Sequence, residues 1–376
     1  MLTQCNEIQE MDPRICEQAV ARWNRIAKPI HSLGLLEDAI VKIAGIQQQA
    51  EHVNIEKPAL VIMCGDHGVV AEHVTQTGAE VTRVVSENFA TGNTSAAVMA
   101  KTANVSIFPI DIGIASDGIE ESQELKIGSL IDRRVRKGTG NIVVEPAMTI
   151  KECEQAIQIG IDIVKQLKER GYRLIATGEM GIGNTTPSSA LASVLLEQPV
   201  EVVTGKGAGL TQFGLEQKYK VIKRAIDRYQ KKYQQETCGK DASPNAEENR
   251  KQIVCLMAEL GGLELAGMMG LFLGGAIYRV PVLIDGFISA VSALCAIRAN
   301  PLVQSYLLAS HASNEPAGML VLKALNVVPF LKCGMCLGEG TGALMAIPIL
   351  RMATAVYEEM STFEEIEIKE YDPKLR

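Results

Sequence analysis

The sequence predicts an α/β protein, a parallel sheet flanked by helices. Three observations carry that prediction. First, four short apolar runs rich in β-formers each end in an acid with a glycine within two residues: "ALVIMCGDHGVV" with Asp66, "NVSIFPIDIGI" with Asp111, "YRLIATGEM" with Glu179 and "RVPVLIDGFISAVSALCAI" with Asp285. Runs that are apolar throughout, rather than alternating, suit strands buried on both faces. Second, helical stretches separate them, as βα alternation requires. Third, hydrophobic residues make up 47% of the chain but aromatics only 4%, so Gly, Ala, Ile, Leu and Val must carry the packing.

In order along the chain, residues 1 to about 55 read as helices. "ICEQAVARWNRIAKPI" and "LLEDAIVKIAGIQQQA" both space their apolar residues near the helical period. The four strand runs follow, with glycine-rich turns leading into helices. Ligands of such sheets bind beyond the carboxyl ends of the strands. Asp66, Asp111, Glu179 and Asp285 are therefore expected near one edge. "AGMMGLFLGGAI" is too short to span a bilayer and reads as a helix packed inside the protein. The polar segment at about 231–252 reads as an exposed loop. "MAIPILRMATAVYEEMSTFEEIEI" closes the chain as an apolar helix and an acidic tail.

Composition excludes several classes. The net charge of −7 and pI near 5.5 give no basic footprint for nucleic acid or an anionic membrane. Nine cysteines, an odd number scattered over 376 residues, do not form a secreted disulfide framework. The polar N-terminus lacks a signal core, and a cytoplasmic location is expected.

The chemistry is concentrated in glycine turns. "GEMGIGNTT" (Gly178 to Thr186) lets backbone N–H groups come close to a ligand at a helix start. Asn184, Thr185 and Thr186 can cap that helix, bind a ligand, or both. "TGKGAGL" (Thr204 to Leu210) resembles a phosphate loop but matches neither the Walker nor the dinucleotide pattern. Lys218 lies within reach of the same anion. "CGDHG" lacks a second ligand pair at zinc spacing, so it reads as a turn lining a pocket and no metal is assigned. "CGMC" (Cys333 to Cys336) is expected to hold buried, inert cysteines. "SHASNEP", with His311, Ser313 and Glu315, reads as a pocket loop, since no nucleophile elbow accompanies it. "LGEGTGAL" (Leu337 to Leu344) places a carboxylate, Glu339, inside a turn of the kind that usually binds an anion.

Taken together and in order, "GDHGV", "GEMGIGNTT", "GKGAGL", "GGLELAGMMG", "VLIDGFISAVSAL", "SHASNEP" and "LGEGTGAL" resemble the nicotinate-nucleotide–dimethylbenzimidazole phosphoribosyltransferase family, from about Ile26 to Phe363. The resemblance implies a Rossmann-like parallel sheet in a large α/β domain (56–344) and a small helical domain made of both chain ends (1–55 with 345–376). It implies transfer of the 5-phosphoribosyl group from nicotinate mononucleotide to an aromatic acceptor, with inversion to an α-riboside and without metal or organic cofactor. Glu339 then inherits the role of base, and Glu179 that of a second acid supporting the ribose. Gly181, Gly183, Asn184 and Thr185, with Gly205, Lys206, Gly207 and Lys218, are expected at the 5′-phosphate and its surroundings. Asp285, Ser313 and Leu337 line the site.

The chain departs from the family pattern on the acceptor side. Thr75 stands where many relatives have serine and Arg83 where they have glutamine. "KPIHSLGLLE" replaces "KPPGSLGRLE". A phenol or p-cresol acceptor is therefore an alternative to the benzimidazole. The implied assembly is a homodimer, or a heterodimer with a homologous chain, one member of which could be non-catalytic. A dinucleotide oxidoreductase is disfavoured because Gly178, Gly181 and Gly183 are spaced wrongly for its fingerprint.

Overall fold

The computed structural model of the chain describes residues 3–116, 124–234 and 246–371. The first half contains α1 (Pro13–Arg25), α2 (Leu35–Gln47), β1 (Pro58–Gly65), α3 (Glu80–Thr91), α4 (Ser95–Thr102), β2 (Ser106–Gly113), β3 (Ile131–Asp132), α5 (Ile150–Glu169) and β4 (Leu174–Met180). The second contains α6 (Thr185–Leu196), α7 (Val200–Val203), α8 (Gln212–Gln234), α9 (Ala246–Leu260), α10 (Leu263–Tyr278), β5 (Val282–Ile284), α11 (Phe287–Ala299), β6 (Leu307–Ala309), α12 (Gly318–Ala324) and α13 (Thr341–Glu359).

The six strands form one sheet in the order β3-β2-β1-β4-β5-β6. Every pairing is parallel. The direction of winding reverses between β1 and β4, which opens a crevice at their carboxyl ends. The four apolar runs of the sequence became β1, β2, β4 and β5, the last only three residues long. The edge strands β3 and β6, of two and three residues, complete the sheet.

All eight residues of β1 are buried, so both faces of the sheet are covered. Side chains alternate across a strand, and here the alternation divides two cores. Ala59, Val61 and Met63 join the cluster built with α5, α9, α10 and α11. Leu60, Ile62 and Cys64 join the cluster built with α1, α2, α4 and α13.

On the first face, α10 is buried nearly throughout, as its small-residue composition requires. It crosses α5 at glycines. A Cβ on Gly160 would lie 2.1 Å from the Gly267 carbonyl oxygen, and one on Gly270 would lie 2.0 Å from that of Ile157. The two backbones therefore touch.

On the second face, the two chain ends meet. Trp23 of α1 stacks edge-on against Tyr357 of α13, with ring centroids 4.9 Å apart. Ile26 pairs with Thr362 in an antiparallel bridge. The polar segment expected as a loop at 231–252 is helical at both ends: α8 runs to Gln234 and α9 starts at Ala246. Charged residues on a solvated helix face give the same composition as a loop. Residues 235–245 lie outside the described part. Among the described residues no helix is long and apolar enough to cross a membrane.

Candidate active site

A cavity of about 390 Å³ opens at the carboxyl ends of the central strands. Five segments build it: the loop after β1 with the start of α3, the turn from β4 into α6, the loop between α7 and α8, the turn from β5 into α11, and the loops on either side of α12. Of the four strand-end acids, only Glu179 and Asp285 line it. Asp66 and Asp111 serve neighbouring loops instead. Asp66 Oδ2 accepts from the Ala115 N–H at 2.8 Å, and Asp111 Oδ2 accepts from Arg134 at 2.7 Å.

Most residues expected at the site do face the cavity: Glu179, Gly181, Gly183, Asn184, Thr185, Lys206, Gly207, Asp285, Ser313, Thr75, Leu337 and Glu339. Gly205 and Lys218 stand just behind its wall. The Lys218 ammonium donates to Thr185 Oγ1 at 2.7 Å and to the Gly205 carbonyl at 3.3 Å. Burial pulls Lys218 down to about 8, while Glu315 acts to raise it. Arg83 does not line the cavity. Its Nε donates to Glu87 one turn along α3 at 2.8 Å, an i,i+4 pair on the helix surface.

The polar turn into α6 holds a local surprise. Asn184 occupies the N-cap position, yet its side chain makes no cap hydrogen bond. Its Nδ2 donates instead to Glu179 Oε2. Glu179 is pushed up to about 8, first by burial and then by the charge of Asp285, with the Asn184 bond acting in the opposite direction. Glu339 is also raised, by burial first, against the Ala96 N–H at the start of α4, which favours its charged form. Glu339 Oε2 is buried without a hydrogen-bond partner, so one oxygen of this carboxylate is not satisfied within the protein.

The glycines around Glu339 explain why the turn can come so close to the second acid. A Cβ on Gly338 would fall 2.4 Å from Glu179 Oε1. One on Gly342 would fall 1.8 Å from His311 Nδ1. The Glu339 N–H reaches Glu179 Oε1 at 3.4 Å, so the two glutamates are held together by backbone as well as by shape.

Two expectations change here. Cys333 and Cys336 are exposed rather than buried, and Cys336 borders the cavity mouth. Their segment loops over the surface before α13 begins, so no core forms around them. His67, in the "CGDHG" turn, lies behind the cavity, with its Nε2 2.7 Å from Glu264 Oε1 in a sealed pair. Sequence reasoning did not find the apolar cavity wall. Val81, Val85, Met180, Phe287 and Ile288 border the site, but in sequence they look like any core residue.

Residues 8–368 match the profile described as Phosphoribosyltransferase. The chain belongs to the phosphoribosyltransferase family. It is similar over nearly its whole length to nicotinate-nucleotide–dimethylbenzimidazole phosphoribosyltransferases. That of Ruminiclostridium cellulolyticum is 41% identical over 368 residues, covering 98% of this chain and 97% of that one. That of Clostridium acetobutylicum is 39% identical over 366 residues, covering 97% of each. The crystal structure of CobT from Thermus thermophilus superimposes with a TM-score of 0.83 at 34% identity, covering 95% of this chain and 99% of that one. As a phosphoribosyltransferase, the protein is an enzyme of the pentosyl-transferring class, and its cavity sits where a doubly wound sheet places a ligand.

Proposed function

We propose that the enzyme transfers the 5-phosphoribosyl group of nicotinate mononucleotide to a ring nitrogen of 5,6-dimethylbenzimidazole, releasing nicotinate and inverting the anomeric carbon. The observation that carries this reading is the unpartnered Oε2 of Glu339, buried in the cavity wall beside a second, raised acid. Breaking the bond from C1′ to the pyridinium leaves an oxocarbenium-like ribose, and nicotinate departs readily. What remains is to hold the acceptor in line and to take its N–H proton. Glu339 is the base in this reading. A carboxylate raised by burial matches the acidity of an azolium better than an exposed one. Its negative charge also stabilises the developing positive sugar.

Glu179 supports the ribose. The Gly181–Thr185 turn, the Lys206–Gly207 loop and Lys218 behind them receive the 5′-phosphate. The apolar side chains of Val81, Val85, Met180, Phe287 and Ile288 suit a flat aromatic acceptor. The reading includes a cytoplasmic enzyme that pairs with a second copy of itself. Support for the pairing comes from the exposed apolar side chains of Val84, Val98, Met345 and Met352 on the helices α3, α4 and α13.

The test is Glu339→Gln. Turnover should fall by about 10²–10⁴, while nicotinate mononucleotide affinity by calorimetry stays nearly unchanged. A large loss of nucleotide affinity would assign the turn to phosphate binding or folding instead. Competition between dimethylbenzimidazole and phenol in the same assay fixes the acceptor. Preference for phenol would replace the benzimidazole in this reading, and Thr75, which borders the cavity, is the residue to vary first.

A further inference from the structure

We propose that Asp285 is a positioning residue: it takes the place of an anion at the start of α13 and thereby clamps the Glu339 turn in its working shape. The proposal rests on the reading of Glu339 as base.

The first N–H groups of a helix have no partner within it, and that end carries partial positive charge. A glycine turn leading into such an end normally invites a phosphate. In this chain the position is already filled from inside the protein. Asp285 Oδ1 accepts from the Gly342 N–H at 2.8 Å and from the Ala343 N–H at 3.1 Å. Its Oδ2 accepts from the Gly340 N–H at 3.1 Å. The carboxylate is 3% exposed and comes from the end of β5, on a different element from the turn it holds.

Asp285 is itself fixed. Its N–H donates to Ser289 Oγ at 3.2 Å, and Ser289 Oγ lies 2.6 Å from Thr177 Oγ1 in β4. The clamp thus connects two strands of the sheet to the catalytic turn.

The turn needs such a hold. Glu339 has φ +60°, a left-handed conformation that side chains other than glycine adopt at a cost. It is flanked by two fixed points, the Gly340 N–H on Asp285 and its own N–H on Glu179. Thr341 closes the turn from within, its hydroxyl donating to the Gly338 carbonyl at 2.8 Å. Placing a third acid beside Glu179 and Glu339 would ordinarily be costly. Burial pushes the Asp285 carboxyl up, while His311 and the three main-chain N–H groups act against that shift by favouring its charged form. The charge of Asp285 also pushes Glu179 up, but the main chain of the Glu339 turn uses both of its oxygens, so its hydrogen bonds act on the reaction through Glu339.

The test is a cycle of wild type, Asp285→Asn, Glu339→Gln and the double variant. Asparagine keeps the shape but turns its amide toward one of the donors. Asp285→Asn should lower kcat by about 10–10²-fold, the order expected when a catalytic group is misplaced by about 1 Å. KM for nicotinate mononucleotide should stay within about twofold of wild type. When Glu339→Gln is already present, the same substitution should have no further effect, because a residue acting through another adds nothing once that other is gone. Losses that multiply in the double variant, a loss in KM rather than kcat, or wild-type turnover in Asp285→Asn would each overturn the clamp. Full turnover in Glu339→Gln alone would overturn the base assignment and the clamp with it. If Asp285→Asn does not fold, Asp285→Glu enters the same cycle. It keeps the charge one methylene further out, and the same criteria apply.

Discussion

Glu179 occupies a place where negative charge is costly, and this has a consequence for stability. Its acidity lies near 8 in the folded protein and near 4.5 when the chain is unfolded. Between those values the folded protein holds a proton that the unfolded chain has released. Stability therefore declines as pH rises through that window. Glu179→Gln removes the titration. Thermal unfolding of the two proteins at a series of pH values should show the variant gaining on wild type from about pH 5 to 8 and levelling off above. A difference independent of pH would mean that Glu179 is ionised in the fold. At this scale the sequence was informative about which residues meet and less so about what each one touches. Glu179, Glu339 and Asp285 were legible because acids beside glycine at strand ends or in turns are chemically conspicuous. The bond from Asn184 to Glu179 was not, because an asparagine before a helix is ordinarily its cap. Arg83 was misplaced because a one-letter departure in a motif does not reveal on which side of α3 the side chain emerges.

Elements follow the same division. The long strands were plain, since an apolar run buried on both faces has no other use. β3 and β6 lack the acid beside a glycine that marked the other four, and only pairing with their neighbours makes them strands. The inner ends of α8 and α9 were hidden by their charge. For α10 the glycines carried a message about a partner: α5 and α10 approach until their backbones meet at Gly160, Gly267 and Gly270. Gly270→Ala would set a methyl 2.0 Å from the Ile157 carbonyl oxygen, so the helices must separate. The expected loss is about 1–3 kcal/mol, read from the shift in a denaturant unfolding curve with unchanged slope. An unaffected midpoint would show that the crossing can yield without cost.

For the molecule as a whole, the sheet is shared by two cores, and one of them takes in helices from both ends of the chain, α1 and α2 with α13. The helix that begins at the Glu339 turn carries Tyr357 in its last turn, against the ring of Trp23. Trp23 is the chain's single tryptophan and is 2% exposed. The protein thus carries its own optical reporter, seated in the layer where the two termini and the catalytic helix come together. The red shift of its emission on unfolding and the loss of far-ultraviolet circular dichroism should share one denaturant midpoint, since coincident probes mark a cooperative transition. If fluorescence changes first, the terminal layer detaches while the rest of the sheet stands. The indole would then record the loosening of the helix that presents the base before any secondary structure is lost elsewhere.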